Sequence, residues 1–282
     1  MKFSMNPIAP FLIHIKSGQI EPKKVGIATT KSIFDADLHR ENLVSADSIA
    51  QTQKFLDKAI VLAWKHVKSN RRPPTLTRSR WVWRLAGAYH SSRNTTRLME
   101  QAAQNFAASG RKSLAQWAAQ KAREEAGHDR LALLDIQSMG YDAEAVVKAL
   151  VPPAIKPWLD YFIESVQASD PIDCIGHSYA SERLGTFIGE KYIQSVQALL
   201  APDTNATRWL RVHSGAGSEV EHVQETLEIV AMLDPQERNR VAKACYETSL
   251  LRFSPPKEDY ISDEELESIL KPLELNTCYE FN

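Results

Sequence analysis

Residues 123 to 131 read Arg-Glu-Glu-Ala-Gly-His-Asp-Arg-Leu. Within them Glu125 and His128 stand three positions apart. On a helix that spacing places both side chains on one face, near enough for a carboxylate and an imidazole to hold one metal ion. The spacing returns 94 residues later as Glu219 and His222, inside Gly-Ser-Glu-Val-Glu-His-Val at 217–223. A single Glu-x-x-His pair in a charge-rich helix is most often solvated surface. Two pairs, each on its own expected helix, supply the two carboxylates and two imidazoles that carboxylate-bridged di-iron sites in helical bundles use. Gly215 and Gly217 precede the second pair, although glycine costs a helix about 1 kcal/mol relative to alanine.

Working outward, Ala126 and Gly127 are small enough for close helix approach, and Leu131, Leu133, Leu134 and Ile136 continue as an apolar stripe. One helix is therefore expected from Ser113 to Gly140. Others are expected over Ser45 to Ser69, Trp81 to Ala108 with a break near His90, Ala143 to Leu150, and Pro157 to Ala168. Further helices follow over Cys174 to Leu200, Asn205 to Met232 with an interruption at Gly215 to Gly217, and Pro235 to Leu251. The chain has 282 residues and only 11 glycines, and its long stretches of Ala, Leu, Gln, Glu, Lys and Arg favour helix. The expectation is an all-α, single-domain bundle of about seven helices. It divides into an irregular N-terminal extension (1–44), a helical domain (45–253) and a tail (254–282) with a short helix from near Ser262.

The 34 basic and 35 acidic side chains nearly cancel, which leaves no basic surplus for nucleic acid or an anionic lipid surface. No stretch reaches the roughly 20 apolar residues needed to span a bilayer. The apolar patch from Ile8 to Ile15 lacks the flanks of a signal peptide. Cys174, Cys245 and Cys278 are odd in number and form no CxxC, so a reducing cytoplasm is expected. There is no GxGxxG, P-loop, GxSxG or HExxH.

A di-iron site needs more carboxylates than the two pairs provide. Glu182, among small and apolar residues in Ser-Tyr-Ala-Ser-Glu-Arg-Leu-Gly at 178–185, is the best candidate to point inward, against a salt bridge with Arg183 or Arg93. Glu100, Glu124 and Glu190 are further options. Residues 81 to 232 resemble the heme-oxygenase-like di-iron oxidases and oxygenases, a seven-helix family that also includes thiaminase-II-like proteins. The segment from Arg123 to Gly140 is similar to that family's first ligand helix, Tyr179 to Tyr192 to the middle one, and His213 to Val223 to the last.

The resemblance implies Glu125, His128, Glu219 and His222 as metal ligands, with Glu182 available to both irons. It implies Fe(II), two per chain, with O2 as co-substrate, an electron donor, and oxidation of a small amine, amino acid or fatty acid in specialised biosynthesis. A homodimer stays open. Three positions depart from the family pattern. Gly215 stands where many members carry a histidine, so that His213 is the nearest substitute; Glu219 replaces the more usual aspartate; and Lys121 replaces a glutamate. Trp117, Tyr179, Phe187 and Tyr192 are expected to line a substrate pocket.

Three other readings remain. A metal-free helical protein of the same fold, binding a small molecule or a partner helix, would use the same residues as a hydrogen-bonded network. His128-Asp129 with His66 and His90 would suit an HD-type metal phosphohydrolase. Cys174 and His177, three apart, would suit a nucleophile and its base.

Overall fold

Ser45 opens the first helix, α1 (Ala46–His66), its hydroxyl accepting from the Ser48 amide at 3.2 Å. The computed structural model describes residues 45–67 and 73–275. The expected extension over 1–44, the end of the first helix, Cys278 and the last part of the tail lie outside the described residues. After α1 come α2 (Arg78–Ser92), α3 (Thr95–Ala108), α4 (Lys112–Glu124), α5 (His128–Ser138), α6 (Ala143–Ala149) and α7 (Ile155–Gln167). The chain continues through α8 (Asp173–Gly185), α9 (Glu190–Gln197), α10 (Arg208–Val212), α11 (Glu219–Ala231), α12 (Pro235–Phe253) and α13 (Asp263–Leu270). The fold is all-α. Among the described residues the only β pairing is the isolated bridge between Tyr141 and Glu274.

There are more helices than the seven or so expected: the breaks near His90 and at Gly215 to Gly217 were expected, and those after Glu124 and Gly185 were not. The Ser113 to Gly140 helix ends at Glu124 and restarts at His128. Gly127 takes φ 85° at that break, a left-handed conformation that glycine adopts without a Cβ penalty. The Cys174 to Leu200 helix stops at Gly185 and resumes at Glu190, and the Asn205 to Met232 helix is open between Val212 and Glu219. The stripe after His128 is also narrower than expected: Ile136 is fully buried, whereas Leu134 is 46% exposed.

Two apolar cores result. One gathers Leu56, Ile60, Phe106, Trp117, Phe162, Tyr179, Leu227 and Cys245 from α1, α3, α4, α7, α8, α11 and α12. The other gathers Trp81, Leu85, Ile136, Tyr141, Val146, Ile193, Leu210 and Leu266 from α2, α5, α6, α9, α10 and α13. At the α4 to α5, α8 to α9 and α10 to α11 interruptions the chain crosses from one core to the other. The tail helix α13 is held on α2 by the Arg80–Asp263 ion pair at 2.5 Å and by burial of Leu266 and Leu270. No helix among the described residues is long and apolar enough to cross a membrane.

His177 is a polar island in the first core, stacked on Phe162 at 4.2 Å and bonded through Nδ1 to Thr248 Oγ1 at 3.2 Å. Burial, with a smaller push from Arg252, lowers its pKa from 6.5 to about 3. The unfolded chain therefore takes a proton that the folded chain refuses. This group's contribution is complete above pH 6.5 and is lost as pH falls towards 3. Between pH 7.5 and 5 it should cost about 2 kcal/mol of stability. In His177→Gln the pH dependence of the urea midpoint over that interval should flatten; an unchanged slope would assign the acid sensitivity elsewhere.

Candidate metal centre

The three interruptions bring one helix end after another to the same place between the two cores. Glu125 caps the C-terminus of α4 and His128 is the first residue of α5, so this pair spans a break instead of sharing a continuous helix. The turn nevertheless joins the side chains, His128 Nδ1 lying 3.0 Å from Glu125 Oε2. Glu219 is the first residue of α11, where the positive end of the helix dipole favours a carboxylate, and His222 follows one turn on. Glu182 comes from the last turn of α8. His213 comes from the loop between α10 and α11, its Nδ1 2.7 Å from Glu219 Oε1 and its ring edge-on to His128 with centroids 4.7 Å apart.

The glycines that looked odd in a helix serve close backbone contact. A Cβ on Gly215 would lie 2.4 Å from Thr186 O, and one on Gly217 would lie 2.3 Å from Val212 O. The loop is thereby seated against the turn after α8, with the Gly215 amide donating to Ile188 O at 3.0 Å. At Gly185 a Cβ would stand 3.1 Å from His213 O and 3.3 Å from Glu219 Cγ, so this glycine leaves room for the centre. Asp135, fully buried on α5, accepts from the amides of Arg208 and Trp209 and so fixes the start of α10, which leads into His213. The Trp209 ring lies against that of His213, centroids 4.6 Å apart.

Two groups of ligand-type atoms form, each gathered within 4.8 Å: Glu125, His128 and His213, and then Glu182, Glu219 and His222. Glu219 faces both, with Oε1 on His213 and Oε2 3.8 Å from His222 Nδ1. The carboxylate between the halves is therefore Glu219; Glu182, expected to serve both, stands with the second half. Glu124 lies beside that half, its Oε2 3.4 Å from His222 Nε2. His213, expected only if the glycines distort the helix, is brought in by that distortion.

Burial would raise the pKa of Glu219, but the hydrogen bonds and charges of His213 and His222 outweigh it and bring it down to about 2. Both histidines are pulled above their usual value against burial, chiefly through Glu219. Glu125 is lowered against burial by His128 and His213. Glu182 is pushed up to about 7 by burial, which Lys121 opposes only in part. Lys121, 2% exposed, is held charged by Glu182, Glu124 and Glu225 despite its burial.

Comparison with protein-family models and with curated proteins returns no match. Among solved structures, the chain resembles a domain of unknown function with a heme oxygenase-like fold from Shewanella denitrificans OS217. The TM-score is 0.54 at 20% identity, over 86% of this chain and 94% of that one. The fold is heme oxygenase-like. In this heme oxygenase-like bundle the centre lies where helix ends meet. Of the buried polar atoms around it, Lys121 Nζ, Glu124 Oε2, Glu219 Oε2 and His222 Nδ1 meet ionisable partners only at 3.4–3.8 Å, and Glu182 Oε2 and His213 Nε2 make no hydrogen bond. Buried polar atoms are normally partnered, and imidazole nitrogens and carboxylate oxygens turned on one another fit a cation.

The other candidates fall outside the centre. Glu190 is exposed and pairs with Arg211, and Glu100 is exposed on α3. The expected pocket residues are spread through both cores instead of gathering at the carboxylates. Tyr179 donates to Asp57 at 2.8 Å, and Tyr192 meets Arg84 in the second core. Phe187 lies under the Arg183 guanidinium at 4.7 Å. Trp117 supports the centre from beneath, its indole donating to Thr226 Oγ1, whose hydroxyl donates to His222 O. Asp129 belongs to neither ligand group, His66 bonds Tyr246, and His90 bonds the carbonyls of Val147 and Leu150, so the HD arrangement does not assemble. Burial pushes the Cys174 thiol up, and the bonded partner of His177 is Thr248, so this is not an activated nucleophile and base.

Proposed function

We propose that this heme oxygenase-like chain is a non-heme iron oxidase or oxygenase that uses O2 to oxidise a small amine, amino acid or fatty acid. The observation that carries the reading is the set of three carboxylates and three imidazoles gathered in two adjoining groups, with Glu182 Oε2 and His213 Nε2 buried and without a hydrogen bond. Nitrogen and oxygen donors without thiolate suit Fe(II) or Mn(II). Bound there, Fe(II) would supply electrons and open coordination positions for O2.

The residues divide the remaining work. Glu125, His128 and His213, with side chains 11–14% exposed, form the face nearest solvent. Glu182 and Glu219 form the enclosed side, where water is scarce and electrostatic effects are strong. With its pKa about 7, Glu182 is poised to hold or release a proton at its carboxyl near neutral pH. The Glu219 carboxylate, bonded to His213, orients that ring so that the buried Nε2 is left free to ligate.

The test is O2 uptake by the chain loaded anaerobically with Fe(II), screened against small amines, amino acids and fatty acids. Uptake stimulated by one class and lost in His213→Ala is the expected result. Iron-independent behaviour would favour the metal-free binding protein, with the carboxylates and imidazoles as a structural network.

A further inference from the structure

Lys121 is the one lysine or arginine, among the described residues, whose charge reaches a member of either ligand group. It sits on α4 one turn before Glu124 and Glu125, with its side chain 2% exposed. Its ammonium lies 3.4 Å from Glu124 Oε2, 3.4 Å from Glu182 Oε1 and 3.6 Å from Glu225 Oε2, in ion-pair range of all three. A cation surrounded by carboxylates at such range occupies the kind of place a metal ion takes. The difference is that this cation is covalently tethered.

We propose that the Lys121 ammonium stands in for a second metal ion, so that the chain holds a single ion, at Glu125, His128 and His213 with Glu219 beside it. The inference rests on the metal reading above and proposes one ion per chain in place of the expected two. The half made of Glu182, Glu219 and His222 is turned towards the lysine: Glu182 pairs with it directly, and Glu124 Oε2 lies 3.4 Å from both the ammonium and His222 Nε2. A dication placed between these ligands would meet the ammonium across Glu182, with like charges sharing one carboxylate in a poorly screened interior.

The other half carries no such tenant. No lysine or arginine pairs with Glu125 or Glu219 among the described residues, and His213 Nε2 is buried without a partner.

The experiment uses the full chain, stripped with chelator and loaded anaerobically with Mn(II), and reads ions per chain together with the electron paramagnetic resonance spectrum. The wild type should saturate at about one ion with an isolated six-line signal, and Lys121→Glu at about two with the broadened signal of an exchange-coupled pair. Two coupled ions in the wild type would overturn the inference and leave the metal reading standing. No bound ion in the wild type would overturn the metal reading itself, and this inference with it. Should Lys121→Glu fail to fold, His213→Ala still decides. Mn(II) affinity should fall at least tenfold in that variant and stay at the wild-type value in Glu190→Ala, at an exposed carboxylate outside the centre; an unchanged affinity in His213→Ala would overturn the assignment.

Discussion

Glu219→Ala is expected to lower iron affinity at least about 100-fold and to abolish iron-dependent O2 uptake. Orienting partners of metal-bound histidines are themselves worth 10–100-fold, and Glu219 contacts the imidazoles of both halves. Its removal leaves His213 and His222 without the carboxylate that raises their proton affinity. The metal-free chain makes a related prediction. The His213 ring holds its proton above the ordinary value of 6.5, so iron must displace that proton and its affinity should climb with pH above that value. Calorimetric titration under anaerobic conditions reads both effects. Glu190→Ala, at an exposed carboxylate paired with Arg211, is the control that should bind as the wild type does. Equal affinity in Glu219→Ala would remove that residue from the centre.

The second large effect belongs to the scaffold. Asp57, 3% exposed on α1, accepts from Arg183 Nε at 2.9 Å, from Arg183 Nη2 at 2.8 Å and from the Tyr179 hydroxyl at 2.8 Å. This bidentate pair ties α1 to α8 one residue from Glu182. Asp57→Ala would leave a largely buried guanidinium and a phenol without their acceptor. Breaking such a pair from one side costs about 3–5 kcal/mol. The lower end is expected, because the Arg183 side chain keeps 12% exposure and can reach water. A loss of about 3 kcal/mol corresponds to roughly 6–12 °C in Tm for a domain of this size. Chemical and thermal unfolding of the variant beside the wild type check it, and a loss below about 1 kcal/mol would show the pair to be structurally idle.

The residues themselves explain how much of this could be read from sequence. Helix was legible because its causes are local: apolar periodicity and caps at Ser45 and Ser262. The ligand types were legible because Glu-x-x-His spacing survives even when a turn replaces a helix, as at Glu125 and His128. The breaks themselves were less so. Gly127 was read as room for helix packing, whereas its positive φ marks the turn between α4 and α5, and Gly185 and Gly189, which flank the break after α8, were not read as one.

Which carboxylate lies between the halves was illegible, since it depends on how far the loop at 213–218 folds back on α8. Asp135 was missed for the same reason: a carboxylate that caps a helix 73 residues away has no local signal. Lys121 was visible as a departure from a family pattern, but that its ammonium enters the centre follows only from the packing of α4 against α11.

The most direct test of the central claim is iron K-edge X-ray absorption on the full chain after anaerobic Fe(II) loading and desalting. Retained iron with only nitrogen and oxygen neighbours, outer-shell scattering from imidazole, and a measurable fall in that scattering in His213→Ala is the predicted result. Iron lost on desalting, or retained with a spectrum unchanged in His213→Ala and His128→Ala, would contradict a metal centre at the junction of these helices.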